Sequence, residues 1–283
     1  MSEPTRSTSP IGGRAQGPGS PLVRQQRVLL ATLLGLAAAG WAVLIWQANR
    51  TGMAMSDREG EMAMGAPSTL DLTAGMSAGL FLAMWVVMMA AMMFPTAAPM
   101  VLMFARVHAG KRRRGHSFVP TWVFTLAYLA LWTAFGAVAY LLASAASAQL
   151  QQSMWLADNA ARIAAVAIIL AGVYQLTPLK RVCLRHCRSP LAFVMQHWRE
   201  GRAGSFLMGL RHGLYCLGCC WLLFVLLFPI GVMNVAAMLL ITALIFAEKA
   251  LPAGERTARF AAAALISYGL LVLAAPAALP LSA

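Results

Sequence analysis

Long apolar runs separated by short polar or basic segments dominate this chain. Seven runs stand out: Val28–Trp46, Gly79–Phe104, Val119–Leu142, Ala160–Leu176, Gly213–Phe228, Gly231–Ala247 and Phe260–Pro280. A helix needs about 20 mainly apolar residues to cross about 30 Å of hydrocarbon. The fourth and sixth runs are short, and the Pro229-Ile230-Gly231 turn between the fifth and sixth is tight. A re-entrant hairpin there would need both of its ends on one side. No run alternates with the ten-residue pattern of a barrel strand, and backbone groups in lipid must bond within their own segment. The pattern therefore predicts an all-α, polytopic transmembrane helical bundle of about seven spans. Composition agrees, since 60% of the 283 residues are hydrophobic and 11% are charged. A soluble domain carries roughly a quarter.

Charge sets the expected orientation. The net charge is +13, which on its own would also suit nucleic acid. With the amino terminus cytoplasmic, however, 19 of the 22 lysines and arginines fall in inside segments, and only Arg50, Arg58 and Arg162 lie elsewhere. Short loops retain Lys and Arg on the cytoplasmic face. The charge therefore reads as topology in a bacterial cytoplasmic (inner) membrane, with the lipid bilayer as partner and no nucleic acid. Residues 1–27, rich in Ser, Pro, Gly and Arg, read as a disordered basic tail, and 28–46 as a retained signal-anchor helix. Residues 47–78 form a Met-rich extracytoplasmic loop with Met53, Met55, Met62 and Met64. The membrane domain occupies 79–280. Thr177-Pro178 and Ser189-Pro190 both read as helix starts, cap followed by Pro. After the second, Leu191, Val194, Met195 and Trp198 share one face of an amphipathic segment suited to the membrane surface.

The residues with chemistry are mostly sulfur. Cys183 and Cys187 stand four apart and so project from one helical face. Cys216, Cys219 and Cys220 follow, with His212 four residues before Cys216, so that His212, Cys216 and Cys220 form one stripe. Thiolate and imidazole are soft ligands for Zn²⁺ or Cu⁺, although cysteine is equally at home as a small apolar residue in a buried helix. In the second span Met84, Met88 and Met92 form one stripe, and Trp85, Met89 and Met93 the next. Thioethers bind Cu⁺, and methionine also simply fills gaps. Pro95 and Pro99 should kink or end that helix. Glu248 and Lys249 close the sixth span, either as an interface anchor or with the carboxylate as a metal or proton ligand. The chain has no nucleotide-binding loop, nucleophile elbow, metalloprotease motif or paired intramembrane carboxylates, so no catalytic residue is expected.

These residues carry a resemblance. Met84-Trp85, Ala91-Met92-Met93-Phe94-Pro95, Pro99, Tyr174-Gln175-Leu176-Thr177-Pro178-Leu179-Lys180, Cys183 and Cys187-Arg188-Ser189-Pro190 resemble the DUF2182 family. So do Gly209-Leu210-Arg211-His212-Gly213, Tyr215-Cys216-Leu217-Gly218-Cys219-Cys220-Trp221, Gly231-Val232-Met233-Asn234 and Glu248-Lys249. The likeness covers roughly 75–265 and implies a metal-binding integral membrane protein.

Together these features lead to an expected handler of a soft metal, copper (Cu⁺) or zinc, that exchanges it with a metal-accepting or metal-donating protein. The expected ligands are Cys216, Cys219, Cys220, His212, Cys183 and Cys187, with Met88, Met92 and Glu248 as further candidates. Two other readings stand beside it. One is a membrane scaffold with structural cysteines. The other is a membrane thiol oxidoreductase, which a cytoplasmic placement of the thiols disfavours because the cytosol keeps them reduced.

Overall fold

The computed structural model describes residues 21–59, 71–112, 120–232 and 234–275, and these are helical apart from short connections. The side chains of 21, 22, 51–59 and 112 are outside the description, so Met53, Met55, Met62 and Met64 all lie beyond it. The helices are α1 (Pro21–Glu59), α2 (Ala78–Arg112), α3 (Thr121–Gln152), α4 (Met154–Asp158), α5 (Ala160–Gln175) and α6 (Pro178–Arg188). They continue as α7 (Pro190–His197), α8 (Gly201–Val225), α9 (Leu227–Ile230), α10 (Val235–Ala250) and α11 (Gly254–Ala274). Each apolar run read from the sequence falls largely on these helices, the fifth across α8 and α9, and residues 119 and 276–280 of the third and seventh runs lie outside the described residues.

Five helical stretches are long and apolar enough to cross a membrane: Val23–Arg50, Ala78–Lys111, Thr121–Gln152, Gly201–Ile230 and Gly254–Ala274. The bent pair α5 and α6, turned by 62° at Leu176-Thr177, brings the number to six if it counts as one span. At 16 residues each, α5 and α10 are about 24 Å long at 1.5 Å per residue, short of the hydrocarbon core. Large apolar side chains cover the outer surface, including Leu126, Leu141, Leu142, Leu240 and Phe260. A water-soluble monomer does not expose so much apolar surface. This is a membrane protein.

The local signals explain where the chain turns. Thr177 caps α6, its hydroxyl accepting from the Lys180 amide, and Pro178 holds the first helical position. Asn234 caps α10 in the same way through the Ala237 amide. Of the two outcomes expected at Pro95 and Pro99, the helix does not end: α2 runs on through both. Tertiary packing on α1, α3 and α10 holds it helical where the sequence alone would break it. The short α7 also differs from expectation. It buries Phe193 and Val194 and leaves Leu191 and Met195 outward, so it is apolar on two sides.

The core sits around α2, α3 and α8. Its larger cluster runs from Leu44, Phe81 and Trp85 through Met88, Met89, Met92 and Met93 to Cys183, Cys216, Cys219 and Cys220. Trp85 donates from its indole to the Trp132 carbonyl at 3.0 Å and lies flat across Gly136, where any side chain would collide with the ring. The smaller cluster, with Phe94, Phe104, Phe124, Phe193 and Met208, fastens α7 to the start of α8. Antiparallel packing of α5 on α11 closes the other side.

Candidate metal centre

Three of the five cysteines come from one face of α8. Helical spacing places Cys216, Cys219 and Cys220 together, and all three are about 1% exposed. The short α6 lies against α8 and brings the other two. Cys187 reaches the α8 group, its thiol within hydrogen-bonding range of Cys216 and Cys219. Cys183 sits one turn away over Gly218, where an added Cβ would stand 2.7 Å from its sulfur. That missing side chain is what lets α6 approach. All five are free thiols.

Cys216 is the hub. Its sulfur takes the Lys249 ammonium at 3.1 Å and lies 3.1 Å from the Tyr128 hydroxyl. Its backbone carbonyl accepts from the thiols of Cys219 at 3.1 Å and Cys220 at 2.9 Å. Tyr174 donates to the carbonyl of Gly218 on the same helix. His212, one turn before Cys216, is buried between Phe124 and Tyr128 with ring centroids 5.9 and 5.5 Å away. Neither of its ring nitrogens has a hydrogen-bond partner. Buried polar nitrogens without partners are rare and costly, so these two are open donors for a ligand.

The sequence candidates therefore divide. Cys187, Cys216, Cys219 and Cys220 come together, and Cys183 and His212 lie beside them. Met88 and Met92 are buried in the same core cluster. Glu248 stands apart in function: its Oε2 takes the Lys180 ammonium at 2.7 Å, with both side chains about 1% exposed. Its burial does not fit an interface anchor, and its Oε1 has no hydrogen-bond partner. Among the described residues no three His, Cys, Asp or Glu side chains stand in a constellation that would hold an ion. The hydrogen bonds give the reason, because Cys219 and Cys220 turn back onto their own helix and Lys249 covers Cys216.

Sequence reading named Lys249 only as a helix-end charge and Lys180 and Tyr174 only within motifs, and it did not single out Tyr128. Lys249 had a signal, since a lysine at an apolar helix end needs a partner, but nothing local named that partner.

A family model for a copper chaperone, PpoB2, matches residues 82–272. No curated protein and no solved structure matches the chain. The matched segment runs from the start of α2 into α11 and encloses every residue of the thiol cluster. The chain belongs to the PpoB2 copper chaperone family.

Proposed function

We propose that the protein binds Cu⁺ within the membrane through its thiol cluster and hands it to an accepting protein. The observation that carries this reading is the convergence of the half-buried Cys187 with the buried Cys216, Cys219 and Cys220, from two helices into one group. Thiolates and an unpartnered imidazole are a soft donor set, and the family is a copper family, which favours copper over zinc. Cys216, Cys219, Cys220 and Cys187 are the first ligands, His212 and Cys183 flank them, and Met88 and Met92 line the approach along α2. Glu248 acts indirectly, by fixing Lys180 and thus the position of α6.

Loading then has a defined local cost. Cys219 and Cys220 must release the Cys216 carbonyl by rotating about χ1, and Lys249 must leave the Cys216 sulfur as the positive ion replaces it. The same contacts re-form on release, so the empty state has partners for its thiols. The same reading includes seven spans, with α5 and α10 as the two short ones, an amino terminus in the cytoplasm of a bacterium and the DUF2182-type motifs as the metal-binding core. Basic residues concentrated at one end of the bundle support that orientation.

Copper bound per chain, measured by mass spectrometry on protein purified in detergent, tests the proposal. Wild type retains copper, whereas Cys216→Ser with Cys219→Ser and Cys220→Ser loses it. Equal copper in both would overturn the reading and leave the cysteines as packing residues.

A further inference from the structure

Away from the thiol cluster, the outward side of α6 and the start of α11 enclose a water-open cavity of about 710 Å³. Arg181, Arg185 and Arg188 line it from α6, Arg256 and Arg259 from α11, and Glu255 is the one carboxylate on its described wall. A second cavity of about 430 Å³ continues it toward α5 past Arg181 and Arg259. Two of the guanidinium groups have structural duties. Arg188 donates to the carbonyls of Leu251 at 2.7 Å and Pro252 at 3.0 Å, and Arg181 donates to that of Leu176. Arg185 meets Glu255 at 3.6 Å with both side chains well exposed, a surface pair that contributes little. Arg185, Arg256 and Arg259 are thus free to serve a ligand.

Exposed apolar residues stand next in sequence to the lining arginines Arg181 and Arg259, or two positions away. On the same two helices Leu179 is 60% exposed, Val182 49% and Phe260 76%. Converging guanidinium forks match phosphate oxygens in pairs. A basic recess between membrane helices with exposed apolar neighbours fits a headgroup whose tails continue into lipid. We propose that this cavity binds the phosphodiester headgroup of an anionic phospholipid, with Arg185, Arg256 and Arg259 on the phosphate and the acyl chains along Leu179, Val182 and Phe260. A free phosphate or an acidic protein surface would use the arginines and leave these apolar residues without a role. The proposal rests on residence in the membrane and not on copper binding. It has a consequence for the thiols all the same, because Arg188 adjoins Cys187 and ties α6 to the end of α10 beside Lys249. A headgroup in the cavity steadies that junction.

The test is lipid retention by the full chain in a nonionic detergent, read by native mass spectrometry and by thermal unfolding. The additives are phosphatidylglycerol or cardiolipin, phosphatidylcholine, and inorganic phosphate. Anionic lipid should bind and raise the unfolding temperature, with phosphatidylcholine and inorganic phosphate at least about tenfold weaker. Replacing Arg185, Arg256 and Arg259 by Gln should weaken anionic lipid at least about tenfold, as expected for loss of charge-assisted bonds. Replacing them by Lys should restore part of it. A matched variant with Arg24, Arg27 and Arg202 changed to Gln should keep full binding. Equal loss in that variant would reduce the effect to a general positive surface and overturn the site. Equal binding of inorganic phosphate would assign the cavity to a free anion and overturn the lipid.

Discussion

At the scale of single residues, the unusual contacts are between groups far apart in the chain. Lys180 and Glu248 are 68 positions apart and form a buried ion pair at 2.7 Å. Removing one partner of such a buried pair strands a charge, at a cost of about 3–5 kcal/mol. Lys180→Met should therefore lower the unfolding temperature in detergent sharply, and Lys180→Met with Glu248→Leu should recover most of the loss. Gly218→Ala should also destabilise, by about 1–3 kcal/mol, because its methyl group would meet the Cys183 sulfur. The same scan of unfolding temperature checks it, and Gly218→Ala in a Cys183→Ala background should be nearly silent. Asp71 lies outside the membrane spans. Partial burial pushes its carboxyl up, but the bonds it accepts from the Thr73 hydroxyl and amide, the Gly75 amide and Ser147 outweigh this and hold it below its ordinary value. A lowered folded value means that its stabilising effect is complete above the unfolded carboxylate range and fades as the pH falls through the folded value. Protection of the Thr73 and Gly75 amides, taken relative to their intrinsic exchange rates, should fall on acidification, and in Asp71→Asn that fall should disappear.

At the scale of helices, the sequence was a good guide to what is local. The Thr177-Pro178 cap announces α6 because capping needs only neighbours within three residues. The Cys216, Cys219 and Cys220 face follows from helical spacing alone. What could not be read is which side of each helix meets which other helix. Both methionine stripes of α2 are buried, Met88 and Met92 on one, Met89 and Met93 on the other, so no periodicity singles out a functional face. The outward Leu191 and Met195 of α7 mislead for a related reason, since hydropathy does not distinguish a side chain facing lipid from one facing protein. Lys249 on Cys216 and Tyr128 beside it join α10 and α3 to α8, and pairing at that distance is set by the assembled bundle. Lys249→Met should accordingly leave the fold in place but alter the thiols. Their alkylation in the empty protein should change in rate, with helical content by circular dichroism unchanged.

At the scale of the whole molecule, long helices and short ones stand side by side. The 35 residues of α2 and 32 of α3 far exceed what the bilayer core requires, while α5 and α10 fall about 6 Å short of it. On the proposed seven-span reading, lipids beside α5 and α10 would compress their chains toward the helix ends, a mismatch that costs fractions of a kcal/mol per ångström. The thinned annulus would then lie at α10, whose end carries Lys249 and Glu248, and would bring an ion at the proposed thiol site closer to water than the full bilayer depth implies. Reconstitution in bilayers of graded acyl length should show it: unfolding temperature should peak in lipids thinner than the average membrane and fall as the chains lengthen. On that reading the short helices make the lipid itself part of how far the proposed copper ion would have to travel.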